Sequence, residues 1–216
     1  MIKKIFSVQI CSFALFFAPL IVHASLIING DFESGNEGFI TDYSLDILAG
    51  DQRYDITADP SLNHSGADSY GDHTSGSGLM MAVNGAGTGD QLVWGQDVTL
   101  EANVDYEFSL WVSSWISTSP ASLQFDLGGL SLGLYNAPTT TGQWEQYSYT
   151  FNSGALSGSQ FLSIIDTELA LVGNDFAIDD ISLTAISPHP VPLPPSLLLL
   201  GTGLVGLLIS RRKAIS

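Results

Sequence analysis

Three stretches of the sequence carry residues whose types and spacing can do chemistry. In the tail, Gly201, Gly203 and Gly206 match the G-x-G-x-x-G spacing that cradles a pyrophosphate. Residues 59–78, DPSLNHSGADSYGDHTSGSG, bring His64, Asp68, Asp72 and His73 together in one polar segment. Paired carboxylates stand near both ends of the central region, Asp31 with Glu33 and Asp179 with Asp180. A phosphate cradle needs a strand before its glycines and an amphipathic helix after them. Here the flanks are Leu197 to Leu200 and Leu204 to Ile209, apolar throughout, so the glycines suit a lipid-embedded helix instead. The His/Asp segment has no zinc spacing such as H-E-x-x-H and reads as a long solvated loop.

The elements that position these residues follow from composition. Lys3 and Lys4 precede an apolar run that closes in Val22-His23-Ala24, which predicts a secretory leader over residues 1–24. The single cysteine, Cys11, falls inside it, which excludes disulfides and thiol chemistry from the exported chain. Five of the six basic residues lie in the terminal segments. Arg53 alone faces all 22 acidic residues, so the body carries a charge of about −21. Such a body repels nucleic acid and anionic surfaces and attracts divalent cations.

Residues 25–187 show period-two alternation with little helical periodicity. Tyr106, Phe108, Leu110 and Val112 alternate with Glu107, Ser109, Trp111 and Ser113, and Leu123, Phe125 and Leu127 alternate with Gln124 and Asp126. Further strands are predicted at 79–83, 91–98, 144–151, 161–166 and 176–183, separated by Gly, Asn, Asp and Ser clusters. The expectation is an all-β antiparallel β-sandwich of jelly-roll type. In the last strand the apolar parity switches from Phe176 and Ile178 to Ile181 and Leu183, which predicts a β-bulge at Asp179-Asp180.

After the body, residues 188–196 form a proline-rich spacer, residues 197–210 an expected transmembrane helix, and residues 211–216 a basic cytoplasmic tail. Leader, body, Val191-Pro192-Leu193-Pro194, apolar helix and Arg211-Arg212-Lys213 together resemble the PEP-CTERM proteins, in a V-P-L-P variant with Leu193 where the name-giving pattern has Glu. That resemblance implies an exosortase-type processing enzyme as partner, transient anchoring in the inner membrane of a Gram-negative bacterium, and a final place at the cell surface or outside it.

The opening Asn29-Gly30-Asp31-Phe32-Glu33 and the closing Phe176-Ala177-Ile178-Asp179-Asp180-Ile181-Ser182-Leu183 resemble the galactose-binding-like jelly rolls found among carbohydrate-binding modules. The resemblance implies a structural calcium held by Glu33 and Asp180, with Asp31 and Asp179 in reserve, and backbone carbonyls completing the shell. Calcium's tolerance for mixed oxygen ligands suits such a set. The resemblance also implies a non-catalytic protein that binds extracellular polysaccharide through exposed aromatics. Trp111 ranks first because it shares the face opposite Phe108 and Leu110, followed by Trp115, Tyr70 and Trp94. A calcium-bridged adhesive protein without a sugar site is the alternative, and a polysaccharide-active enzyme ranks third.

Overall fold

The computed structural model describes residues 24–186 apart from 117. The expected leader, spacer, transmembrane helix and basic tail lie outside the described residues, and among those described no helix is long and apolar enough to cross a membrane. The described chain is a sandwich of two sheets. Its strands are β1 (Ser44–Leu45), β2 (Arg53–Thr57), β3 (Met80–Asn84), β4 (Gln91–Leu100), β5 (Asp105–Ile116), β6 (Ser122–Leu127), β7 (Leu130–Asn136), β8 (Glu145–Asn152), β9 (Gly158–Asp166) and β10 (Asp175–Ala185). The larger sheet runs β1-β2-β3-β10-β5-β8 and the smaller β4-β9-β6-β7. Every pairing is antiparallel except the two-residue β1–β2 contact.

Alternation builds the core directly. Tyr106, Phe108, Leu110 and Val112 of β5 and Phe176, Ile178, Ile181 and Leu183 of β10 point inward, where they meet Leu123, Phe125 and Leu127 of β6 and Leu162 and Ile164 of β9. β7 and β2 escape the sequence pattern. β7 is an edge strand interrupted by Gly133, and β2 opens on a charged residue, so neither presents a clean apolar stripe. The bulge is where parity places it. Asp179 pairs with Trp111 and Ser182 with Ser109, so β10 spends one residue more than β5, and Asp180 takes up a φ of +49°.

A second apolar cluster sits on the outer face of the larger sheet. Leu48, Met80, Ala82, Trp115 and Ala177 are buried there, with Ala67, Tyr70, Ile116 and Trp144 packed against them. The cover is the loop at residues 59–78, which crosses this face as a strap. It opens on a short 3-10 turn, Pro60–Leu62, capped by Asp59, whose Oδ1 accepts from Ser61 N at 2.8 Å. A polar loop can lie on a sheet face only if its backbone groups find partners. Side chains of the sheet and of the loop itself supply them.

Candidate functional site

The first half of the site is built where the two ends of the body meet. Leu26 N donates to Leu183 O at 2.8 Å and Ile181 N to Gly30 O at 2.9 Å, so the N-terminal segment lies along β10 at its bulge. Gly30 permits this approach, because a Cβ there would stand 2.0 Å from the Ile181 carbonyl oxygen. The following turn is latched by Asn29, whose Oδ1 accepts from Ser34 N and whose Nδ2 donates to Gly35 O and Glu37 O. Phe32 is thereby plugged into the core. Asp31 and Asp180 share one surface depression as a result. Glu33 reaches the other way, its Oε1 accepting from Leu79 N at 2.7 Å.

The strap supplies a further carboxylate. Asp72, almost fully buried, gathers Ser75 N at 2.8 Å, Gly78 N at 2.6 Å and the Ser75 hydroxyl at 3.1 Å. Burial works against its charge, yet these hydrogen bonds prevail and hold its pKa below the usual carboxylate range. A Cβ on Gly78 would fall 2.1 Å from Glu33 Oε1 and 3.1 Å from Asp72 Oδ2, so both carboxylates close on that glycine. Asp179, at 0% exposure, accepts from His73 N at 2.9 Å and from Asp180 N at 2.8 Å. Its burial, with Asp180 and Asp72 nearby, pushes its pKa up to about 7.

The second half of the site is aromatic. The His73 ring stacks on Trp111 with centroids 3.7 Å apart and planes 15° from parallel, and stands edge-on to Trp144 at 6.0 Å. Its Nδ1 lies 2.6 Å from Asp180 Oδ2, and the Thr74 hydroxyl donates to Asp180 Oδ1 at 2.7 Å. Trp144 Nε1 donates to Gly71 O at 3.1 Å, and Tyr70 packs edge-on against the Trp144 ring at 6.0 Å. The bulge thus turns the Asp180 carboxylate toward the strap. The strap in turn roofs Trp111.

The four aromatic residues expected to meet a ligand divide sharply. Trp111 is half-buried on the outer face, in keeping with its parity. Trp94 and Trp115 correct the expectation: at 0% and 1% exposure they belong to the inner core and to the cluster under the strap, and Trp115 Nε1 is spent on Phe176 O at 2.7 Å. Tyr70 is half-buried with its hydroxyl inside, and that burial pushes the phenol's pKa up. His64, Asp68, Asp72 and His73 do not converge. His64 lies over Trp115 at 4.9 Å, and Asp68 takes the Thr141 hydroxyl. Trp144, which the sequence offered only as the start of a strand, joins the site through the strap. Phe161, 36% exposed, stands apart on the smaller sheet, beside a cleft of about 290 Å³ with Ile40 and Asp97.

Among the described residues no three His, Cys, Asp or Glu side chains converge closely enough to hold a metal ion by themselves. Glu33 and Asp72 meet at Gly78, whereas the Asp180 carboxylate faces His73 and Thr74, so a calcium shared by Glu33 and Asp180 would draw backbone carbonyls into its shell. The donors suit a hard cation, being carboxylate oxygens with no competing basic side chain except His73. Arg53, the one basic residue of the body, is engaged elsewhere with Asp46 at 3.3 Å.

Residues 190–213 match the PEP-CTERM protein-sorting motif. The match spans Val191-Pro192-Leu193-Pro194 and Arg211-Arg212-Lys213, and it implies export with membrane anchoring ahead of processing. No curated protein sequence matches the chain. Among solved structures, the chain is similar to a Stig cyclase from Fischerella sp. TAU, at 13% identity and a TM-score of 0.56 over 78% of this chain and 100% of that one. It is similar to the CBM22-1 xylan-binding domain of Paenibacillus barcinonensis Xyn10C, at 13% identity and 0.51 over 79% and 100%. It is also similar to TmCBM61, solved with β-1,4-galactotriose, at 15% identity and 0.50 over 75% and 99%. These likenesses establish the jelly-roll sandwich.

Proposed function

We propose that the chain is an exported, non-catalytic protein of the cell surface or extracellular matrix that binds polysaccharide on the outer face of its larger sheet. One observation carries this reading. Beyond the strap, β10, β5 and β8 present a polar floor of half-buried Ser109 and Ser182 with exposed Glu107, Gln146, Ser148 and Thr150, and half-buried Trp111, stacked on His73, stands with Trp144 at its end as an aromatic wall. Hydroxyl-rich floors beside ring faces are what a sugar chain needs, since its apolar face stacks on rings while its hydroxyls exchange hydrogen bonds. The xylan-binding and galactotriose-bound relatives share the fold and support the ligand class.

In this reading an exosortase-type enzyme releases the chain from the inner membrane of a Gram-negative cell, a step supported by the sorting motif. Calcium, held by Glu33 and Asp180 with Asp31, Asp72 and Asp179 at hand, ties the strap to both ends of the body and so fixes the aromatic wall. The acidic surface favours the alternative of calcium-bridged self-association without a sugar site.

The test is affinity electrophoresis of the purified chain against a panel of bacterial and plant polysaccharides, with calcium and with EDTA. Retardation by at least one polysaccharide is expected, reduced tenfold or more in Trp111→Ala and unchanged in Phe161→Ala. Loss only in Phe161→Ala moves the site to the smaller sheet. Absence of retardation together with calcium-driven oligomers establishes the alternative.

A further inference from the structure

At the opposite end of the sandwich, a second group of oxygen donors closes on Gly85. Asp175 Oδ1 accepts from Gly85 N at 3.2 Å, and Gln52 N donates to Gly85 O at 3.4 Å, which draws the loop at residues 46–52 against the one at 85–90. Asn174, at 0% exposure, lies directly over the same glycine: a Cβ there would fall 2.2 Å from its Cγ and 2.4 Å from its Oδ1. Its Nδ2 donates to Ala86 O at 3.1 Å, which fixes the orientation of the amide. The side-chain carbonyl then has no partner among the described residues. A buried carbonyl without a donor is costly, and native interiors rarely leave one so.

The surroundings are acidic. Asp51 stands close enough to Asp175 to disfavour its charge, as does Asp166, which already accepts from Tyr43 Oη and Glu168 N. Arg53, pinned to Asp46, brings no compensating contact. Asp51, Gln52, Ala86, Gly87, Thr88 and Leu171 line a cavity of about 350 Å³ that adjoins Asn174 through Ala86, whose carbonyl accepts from the Asn174 amide. The loop at 167–174 is docked across it, Leu171 on Gly87 and Leu169 on Gly89.

We propose that the pole formed by residues 46–52, 85–90 and 167–174 binds a divalent cation of the calcium type, held by the carboxylates of Asp51 and Asp175 and the side-chain carbonyl of Asn174. The donors are hard oxygens of mixed charge, the combination calcium accepts and magnesium, with its strict octahedron, does not readily assemble. Two carboxylates make a weak site, with Kd on the order of 0.1–1 mM, in the range of extracellular modules. The ion supplies the partner that Asn174 lacks and joins three loops into one surface. That surface lies at the start of β10, roughly 35 Å along the strand from the end at which the chain leaves toward its tail.

The experiment is calcium equilibrium dialysis of the EDTA-stripped full chain in detergent, in a Glu33→Gln/Asp180→Asn background that removes the other corner. One weakly bound ion per chain is expected in that background, lost in Asp51→Asn and weakened at least tenfold in Asn174→Ala and in Gly85→Ala. Asp51 is exposed, so Asp51→Asn in the otherwise unaltered chain gives an independent reading of one ion fewer with the melting curve of the apo protein unchanged. A background that binds no ion while retaining its β-sheet circular dichroism overturns the proposal. So does an ion indifferent to Asp51→Asn, Asp175→Asn and Asn174→Ala.

Discussion

Replacing Asp179 by Asn removes a buried charge and should make the metal-free protein more stable in base than the parent chain. Asp179 is fully buried, and its burial next to Asp180 and Asp72 raises its pKa from 3.8 to about 7. The sign follows from proton counts. Between those two values the folded state holds a proton that the unfolded state has released, so stability falls as pH rises, by about 1.4 kcal/mol per unit. A shift of about three units corresponds to roughly 4 kcal/mol above pH 7, of which about 1 kcal/mol is already present at pH 4.5. The Asn variant lacks this dependence. It keeps one acceptor for His73 N or Asp180 N and loses the other, at about 1 kcal/mol across the whole range. The stability difference between variant and parent should therefore swing by about 3 kcal/mol from pH 4.5 to 8, or roughly 6–12 °C in Tm for a domain of this size. Taking the difference cancels the general repulsion of an acidic chain. Melting curves in EDTA, followed by near-UV circular dichroism at both pH values, measure it. A difference that does not move with pH would refute the assignment of a destabilising buried carboxylate.

Other outcomes follow from the same geometry. Calcium at one hundred times its Kd should raise the stability of the parent chain by about 2.7 kcal/mol, and scanning calorimetry of Glu33→Gln/Asp180→Asn should show most of that gain gone. Trp115→Ala empties the cluster beneath the strap and frees the Phe176 carbonyl, and should cost about 3–5 kcal/mol in urea unfolding. Gly30→Ala drives a methyl into the Ile181 carbonyl and should cost about 1–3 kcal/mol, with amide exchange accelerated along Leu26 and Ile181 to Leu183 rather than in the smaller sheet. Acrylamide quenching of the described tryptophans should resolve two populations, with Trp94 and Trp115 protected and Trp111 and Trp144 reachable.

Local pattern alone was enough for the frame. The apolar parity of β5 and β6 assigned their inner faces, because a pleated strand has a period of two and only one face of each was apolar. The parity switch at Asp179-Asp180 announced the bulge, since one inserted residue is the only way to return Ile181 and Leu183 to the core. The tail declared its sorting motif in linear order, with no fold required. Tertiary structure decided what covers what. Trp111 and Trp115 share one parity and one face, yet one stands half-exposed under His73 while the other is sealed beneath the strap. Nothing in their own strand distinguishes them, because the difference is made by a polar loop 40 or so residues earlier, whose docking rests on carboxylates and backbone groups instead of an apolar stripe. The same holds for Asn174 and Gly85, which local sequence presents as ordinary turn residues. Only the closing of three loops on one another brings the amide over the glycine and leaves its oxygen buried without a partner among the described residues.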